Sequence, residues 1–392
     1  MKRTLHLPLL PKILIAIALG IVCSLFFPVW AVRVFLTING LFSNFLGLFI
    51  PLLIVGLIAP GIAELGQGAG RLLLITAGLA YLSTVLTGFF SLGVCKVVYP
   101  SLLGSSAASL AAVDMSGSLT PYFTVAMPAF LNVTSALVVA FILGLGTTAI
   151  SSVSLKRGLT EFRDIVTVVI TRVIIPVLPV YIFGIFLQMG AEGHVATVLG
   201  MFVRIILVIF AMHITVLVLQ FCIAGTVARR NPFKALWTML PAYVTALGTS
   251  SSAATIPVTL AQTKKNGVSA EVADFTVPLC ATIHMPCSVL KIVACCYAVS
   301  LSMGAPVDVS TYGGFILMCS ITMVAAPGVP GGAIMAALGL IGSALGFDAN
   351  MQGIIIALYM AMDSFGTAGN VTGDGAMSII IERINQNRKT NG

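Results

Sequence analysis

MQGIIIALYMAMDSFGTAGNVTGDGAMSIII, residues Met351 to Ile381, places two carboxylates, two amides and five glycines inside an otherwise apolar run. A run this greasy belongs in a bilayer, where a carboxylate at the centre of a helix costs about 3 kcal/mol on insertion scales, so Asp363 and Asp374 need partners or a purpose. On a continuous helix Asp363, Asn370 and Asp374 share one face, because offsets of seven and eleven residues lie within roughly 20° of whole turns. Two readings are open. The acids can be satisfied partners that tighten a helix bundle. Alternatively, with Gly, Thr and Asn beside them, they supply oxygens to a cation or an ammonium group, since glycine lets backbone carbonyls approach.

Working outward, 58% of the 392 residues are hydrophobic, 8% are charged, and the mean hydropathy is +1.09. No soluble domain hides that much apolar surface, so the chain reads as an all-α polytopic membrane protein. It has room for roughly eight spans of about 20 residues plus shorter re-entrant segments. The net charge of +8 is not a nucleic-acid footprint, because the basic residues sit in short loops between spans and form no patch. The eight cysteines lie in or beside apolar runs without metal-type spacing and read as small hydrophobes, so neither disulfides nor a metal cofactor are implied. Met1 to Trp30 starts basic and continues apolar but lacks a small-x-small cleavage site, so it is expected to stay as a first span.

Further apolar runs fall at Ile13–Trp30, Phe35–Ile62, Leu72–Tyr99, Tyr122–Ile150, Ile165–Met189 and Val195–Ala224, six ordinary spans. Ser101 to Ser118, with the single acid Asp114, reads as an extracytoplasmic loop. If the spans alternate, Lys2, Arg3, Lys12, Arg71, Lys156, Arg157, Arg163, Arg229, Arg230 and Lys234 share one side. By the positive-inside bias that side is the cytoplasm, and the amino terminus lies there in the inner (plasma) membrane.

Beyond Arg229 the apolar segments carry small and turn-forming clusters at their centres. Ala235 to Ala261 is interrupted by Gly248-Thr-Ser-Ser-Ser-Ala-Ala-Thr-Ile-Pro257, and Phe315 to Leu345 by Ala325-Ala-Pro-Gly-Val-Pro-Gly-Gly332. Unwound backbone survives at membrane depth only inside protein or along a watery cavity, so both segments read as re-entrant hairpins with functional tips. Each precedes an apolar helix with unusual polar residues, Val277 to Ser300 and Met351 to Ile381. Two such units suggest an internal, inverted repeat around a transporter's midplane site. With the first hairpin opening from inside and the second from outside, Lys264, Lys265, Arg383, Arg388 and Lys389 join the cytoplasmic set, and both termini are cytoplasmic. The expected division is 1–234, six spans, and 235–392, the two hairpins with their two following helices.

Four motifs in this order carry a family resemblance: Ser250-Ser-Ser-Ala-Ala-Thr-Ile-Pro257, Ala281-Thr-Ile-His-Met285, Gly328-Val-Pro-Gly331 and Asn370-Val-Thr-Gly-Asp374. The chain resembles the dicarboxylate/amino acid:cation symporters, the glutamate transporter homologue family. Asp363-Ser-Phe-Gly-Thr-Ala-Gly-Asn370 and Arg229-Arg-Asn-Pro-Phe233 look most like the bacterial sodium/serine-threonine branch. The resemblance implies eight transmembrane helices plus two re-entrant hairpins in a homotrimer, each protomer having a static trimerisation scaffold and a transport domain that moves as an elevator. It implies that Asp363 binds a substrate ammonium, that Ser252 and Asn370 hold the α-carboxylate, and that Thr367 and the Ser250 and Val329 carbonyls complete the amino-group site. Gly366 and Ser288 border that site. Asp374, with backbone oxygens of Cys280, His284 and Asn370, implies one sodium site; Thr282 with the Met323, Val324 and Ala326 carbonyls implies another.

Three departures refine this. Relatives that take acidic amino acids carry an arginine at the position of Gly366, and none replaces it near Ser250; a buried acidic side chain would lack its bidentate partner, so a neutral amino acid such as serine, threonine or alanine is expected. The family's Asn-Met-Asp-Gly-Thr is here His284-Met-Pro-Cys-Ser288, and Pro286 offers no side-chain oxygen, so fewer coupled sodium ions are expected, with Ser83 and Thr84 left to supply hydroxyls. Lys291, two turns beyond His284 on a continuous helix, stands where relatives have a tyrosine. It can pair with Asp374 or a substrate carboxylate, and with His284 it can couple transport to protons; equally it can snorkel to an interface while His284 stays a neutral hydrogen-bonder. An acidic amino acid or C4-dicarboxylate remains an alternative if Lys291 takes the arginine's role.

Two other classes compete. A channel with re-entrant filter loops predicts repeated carbonyl rings, whereas these two hairpins differ in sequence. An intramembrane hydrolase has Ser250 to Ser252 and His284 to draw on, but no Gly-x-Ser-x-Gly elbow, and its two acids lie three turns apart. No enzyme is expected. The coupling ion is sodium, or alternatively a proton, and the remaining partners are substrate and lipid.

Overall fold

Without water to pair with, the backbone of an apolar run closes its own hydrogen bonds, and the long runs fold as helices. The computed structural model describes residues 9–65, 71–111, 119–193, 195–302, 304, 308–324, 326, 328 and 330–391. The helices are α1 (Leu9–Ser24), α2 (Val29–Leu65), α3 (Arg71–Ala111), α4 (Val133–Ala149), α5 (Val153–Val169), α6 (Ile175–Ala191), α7 (Val195–Ala228), α8 (Pro232–Thr238), α9 (Leu240–Thr249), α10 (Ser252–Lys265), α11 (Ala270–Ile283), α12 (Pro286–Ser302), α13 (Val309–Met323), α14 (Gly332–Leu345), α15 (Ala349–Ala361) and α16 (Asp363–Asn391). Among the described residues five helical stretches are long and apolar enough to cross a membrane, and a sixth if α15 and α16, bent by 60°, form one span. The chain is therefore a multi-pass membrane protein.

Several boundaries differ from the sequence expectation. Helix α3 continues through Ser101 to Ala111, because alanine, leucine and serine continue a helix when no Gly-Pro pair stops it; Asp114 lies outside the described residues. The run from Tyr122 is helical only from Val133. Pro121 and Pro128 withdraw two backbone donors, and the strap before α4 is pinned laterally: Arg33 Nε donates to the Thr120 carbonyl (2.9 Å), Tyr122 N–H to Thr37 Oγ1 (2.9 Å), and Asn44 Nδ2 to the Val125 carbonyl (2.7 Å). Between α5 and α6 one π-helical turn, Ile170–Ile174, precedes Pro176, the usual accommodation of a proline inside a span.

Two further breaks matter for function. His284 adopts an extended conformation (φ −103°, ψ 94°) between α11 and α12, and Met362 (φ −120°, ψ 10°) separates α15 from α16. The expected continuous helices through Val277–Ser300 and Met351–Ile381 are each two helices. Both lie where a carboxylate or imidazole needs to leave the helix face.

Packing divides the helices into two groups. Helix α1 lies on α6, and α2 on α4, α5 and α6; α3 runs along α12, while α7, α9, α10 and α11 surround α16. The first group meets the second where α14 touches α2 and α15 touches α1 and α6. Gly353 makes the last approach feasible, since a Cβ there would meet Ile185 and come within 3.2 Å of the Tyr181 hydroxyl.

Candidate functional site

The site begins at the turn between α9 and α10 and at the start of α14. Helix α9 ends at Ser250, in the left-handed region (φ 50°), and Ser251 caps α10 by accepting from the Ala254 N–H. The Ser251 hydroxyl donates to the Gly328 carbonyl at 2.8 Å, tying the α9–α10 turn to the segment between α13 and α14. The Ser250 hydroxyl lies 2.6 Å from that of Ser364, on the first turn of α16. At the start of α14 Gly331 takes φ 73°, open to glycine at little cost, and its N–H donates to Asp363 Oδ2 at 2.7 Å. Asp363 thus sits at the starts of both α14 and α16, where unpaired N–H groups favour an anion.

The other Asp363 oxygen faces Lys291. Its ammonium lies 3.5 Å from Asp363 Oδ1, 3.4 Å from the Met362 carbonyl and 3.7 Å from the centroid of the Tyr359 ring. Lys291 is 0% exposed, which excludes snorkelling, and its partner is Asp363 in place of the expected Asp374. The cause is the break at His284: once α11 and α12 are separate, Lys291 and His284 no longer share a face. Gly366 makes the room, because a Cβ there would fall on Lys291 Nζ and Cε.

One turn deeper, Asn370 bridges α16 and α12. Its Oδ1 accepts from the Cys287 N–H at 2.8 Å and its Nδ2 donates to Ser288 Oγ at 2.9 Å. The bond to Cys287 is available because Pro286 starts α12 and leaves the first-turn donors free.

A third cluster surrounds Asp374. His284 Nδ1 lies 2.9 Å from Asp374 Oδ1, and Nε2 lies 3.0 Å from Ser83 Oγ on α3, which also accepts from Gln220 Nε2 at 3.3 Å. His284 and Asp374 are each 1% exposed. The imidazole therefore takes one carboxylate oxygen of the expected sodium ligand. Ser83, Gln220 and His284 also line an apolar cleft of about 250 Å³ between α3, α7 and α16, walled by Leu86, Phe90 and Met377.

Asp363, Lys291, Gly366, Asn370, Ser288 and Ser250 therefore converge, with Ser252 buried at the first turn of α10. Thr367 is half-buried and bonds back to the Asp363 carbonyl of its own helix. Thr282 is exposed and its hydroxyl donates to the Leu279 carbonyl at 2.7 Å. The Cys280 carbonyl accepts from the His284 N–H, and the Met323 carbonyl from the Ala326 N–H, so two expected sodium ligands hold helix ends; Val324 is the C-cap of α13, and Val329 lies outside the described residues. Sequence reading missed Tyr359, Ser364, Gln220 and the Gly331 N–H. The glycine stood in the Gly328–Gly331 motif and Ser364 in the Asp363–Asn370 motif, whereas Tyr359 and Gln220 look like ordinary span residues until packed.

A family model described as the sodium:dicarboxylate symporter family matches residues 9–384. The serine/threonine transporter SstT of Acinetobacter baumannii (strain AYE) is 28% identical over 401 residues, covering 97% of this chain and 98% of that protein. The protein of the same name from Acinetobacter baylyi is 26% identical over 398 residues, with the same coverage of 97% and 98%.

Proposed function

Because the chain belongs to the sodium:dicarboxylate symporter family, we propose that it is a secondary symporter that carries a neutral amino acid, such as serine, threonine or alanine, with a coupling cation. The observation that carries this reading is the meeting of two hairpin tips over a buried carboxylate: Ser251 holds the Gly328 carbonyl, and Gly331 N–H holds Asp363. Tips that latch onto a buried acid form two gates around a site for an ammonium-bearing solute, as alternating access requires. Sodium is the proposed coupling ion and the serine/threonine transporters are the proposed functional model; a proton is the alternative ion.

In this reading Asp363, Thr367 and the Ser250 and Val329 carbonyls receive the amine, and Ser252 and Asn370 the carboxylate. Asp374 with the Cys280, His284 and Asn370 carbonyls, and Thr282 with those of Met323, Val324 and Ala326, receive cations. Each protomer of a homotrimer crosses the membrane eight times with both termini cytoplasmic, and residues 235–392 with α3 and α7 move as an elevator against α1, α2 and α4 to α6. A second reading, an acidic amino acid or C4-dicarboxylate, is favoured by Lys291 Nζ lying against Gly366. Uptake of labelled serine, threonine, alanine, aspartate and succinate into proteoliposomes, under a sodium or a pH gradient, tests both. Sodium-driven uptake of a neutral amino acid supports the first; preference for a diacid replaces it with the second.

A further inference from the structure

Lys291 is the one lysine or arginine among the described residues that is buried, and nothing in the neutral amino-acid reading uses it. Its three contacts are a carboxylate oxygen, a carbonyl and a ring face, all supplied by Tyr359, Met362 and Asp363 at the bend between α15 and α16. Those are the ligands a free ammonium group would choose. The two Asp363 oxygens are held unequally. Oδ2 takes the Gly331 N–H at 2.7 Å, whereas Oδ1 faces Lys291 at 3.5 Å, well beyond the about 2.7–2.9 Å of a strong ammonium–carboxylate bond. One oxygen latches the hairpin; the other carries a replaceable partner.

We propose that Lys291 is the empty carrier's own counter-cation. Its ammonium holds Asp363 Oδ1 when no substrate amine is present and yields that oxygen when an amino acid binds. The inference rests on the amino-acid reading above. Its consequence is electrostatic: Asp363 and Lys291 together carry no net charge, and a zwitterionic amino acid adds none, so the substrate position itself, apart from the coupling-cation positions, is equally neutral empty and loaded. The empty transport domain recrosses the membrane without a second substrate or a mobile cation on Asp363. The Gly331 latch stays made in both states, so the tips close over either occupant.

The test compares, in proteoliposomes under a sodium gradient, net serine uptake into substrate-free vesicles with serine exchange into serine-loaded ones. The parent is expected to show the two rates within about three-fold of each other, because an empty site that is neutral returns readily. Lys291→Met fills the same slot without charge, leaves Asp363 bare on the return, and is expected to cut net uptake by up to about 100-fold, the factor matching an unpaired carboxylate's insertion cost, while exchange persists. Lys291→Arg keeps the cation and is expected to keep the parental ratio. A parental ratio in Lys291→Met overturns the proposal. So does a parent whose efflux is accelerated about ten-fold or more by serine outside, a measurement that needs no variant. If neither serine, threonine nor alanine moves in either mode, it is the amino-acid reading that fails.

Discussion

Replacing Ser251 by alanine removes two hydrogen bonds of different kinds. One, to the Gly328 carbonyl at 2.8 Å, ties the α9–α10 turn to the segment before α14; the other, from the Ala254 N–H at 3.3 Å, caps α10. A typical net hydrogen bond contributes about 1 kcal/mol and an N-cap about 1 kcal/mol more. The opening equilibrium of the tips is therefore expected to shift by about 1–2 kcal/mol, roughly 5- to 30-fold. Glycine is a tolerable N-cap, costing a few tenths of a kcal/mol, so Ser251→Gly isolates the tie and should give roughly five-fold. Hydrogen exchange read by mass spectrometry suits this, because the Gly331 N–H is protected by Asp363 and exposed only when the tip lifts. Faster exchange confined to residues 320–335 and 246–256 is the expected result. Unchanged exchange there in both variants refutes the reasoning, as does an equal rise in helices such as α2, which would mean general destabilisation.

Other perturbations probe the remaining clusters. His284→Ala leaves buried Asp374 without its 2.9 Å hydrogen-bond partner, and an unsatisfied buried acceptor costs about 1–3 kcal/mol, so thermal unfolding in detergent should shift down; an unchanged midpoint contradicts the pairing. Gly366→Ala puts a Cβ on Lys291 Nζ, and the ammonium should leave Asp363. Its net uptake is then expected to fall by about ten-fold or more relative to exchange, while circular dichroism keeps its helical signal. Glu382→Ala removes the acceptor for the Ser269 N–H (3.2 Å) and hydroxyl (2.7 Å) at the start of α11, with an expected loss of about 1–2 kcal/mol in denaturant or thermal stability.

Much of this protein was legible in its sequence because the decisive signals are local. A run of apolar residues demands internally bonded helices whatever surrounds it, and the clusters around Ser250 and Gly331, set in the middle of apolar runs, mark breaks in them. That an intramembrane Asp363 and Asp374 need partners also follows from solvation alone. Partner identity does not. Lys291 and Asp363 lie 72 positions apart, and His284 and Asp374 lie 90 apart, so no spacing rule connects them. A wheel drawn through His284 and Lys291 assumed one helix, whereas the chain bends at His284 and again at Met362. The bends end one helix and start another beside each carboxylate, so Asp363 meets Lys291 of α12 and Asp374 meets His284 at the break between α11 and α12. Only tertiary packing decided which side chain meets which carboxylate, because that depends on where separate helices end, and glycines such as Gly366 and Gly331 tell how closely helices can approach without telling what approaches them.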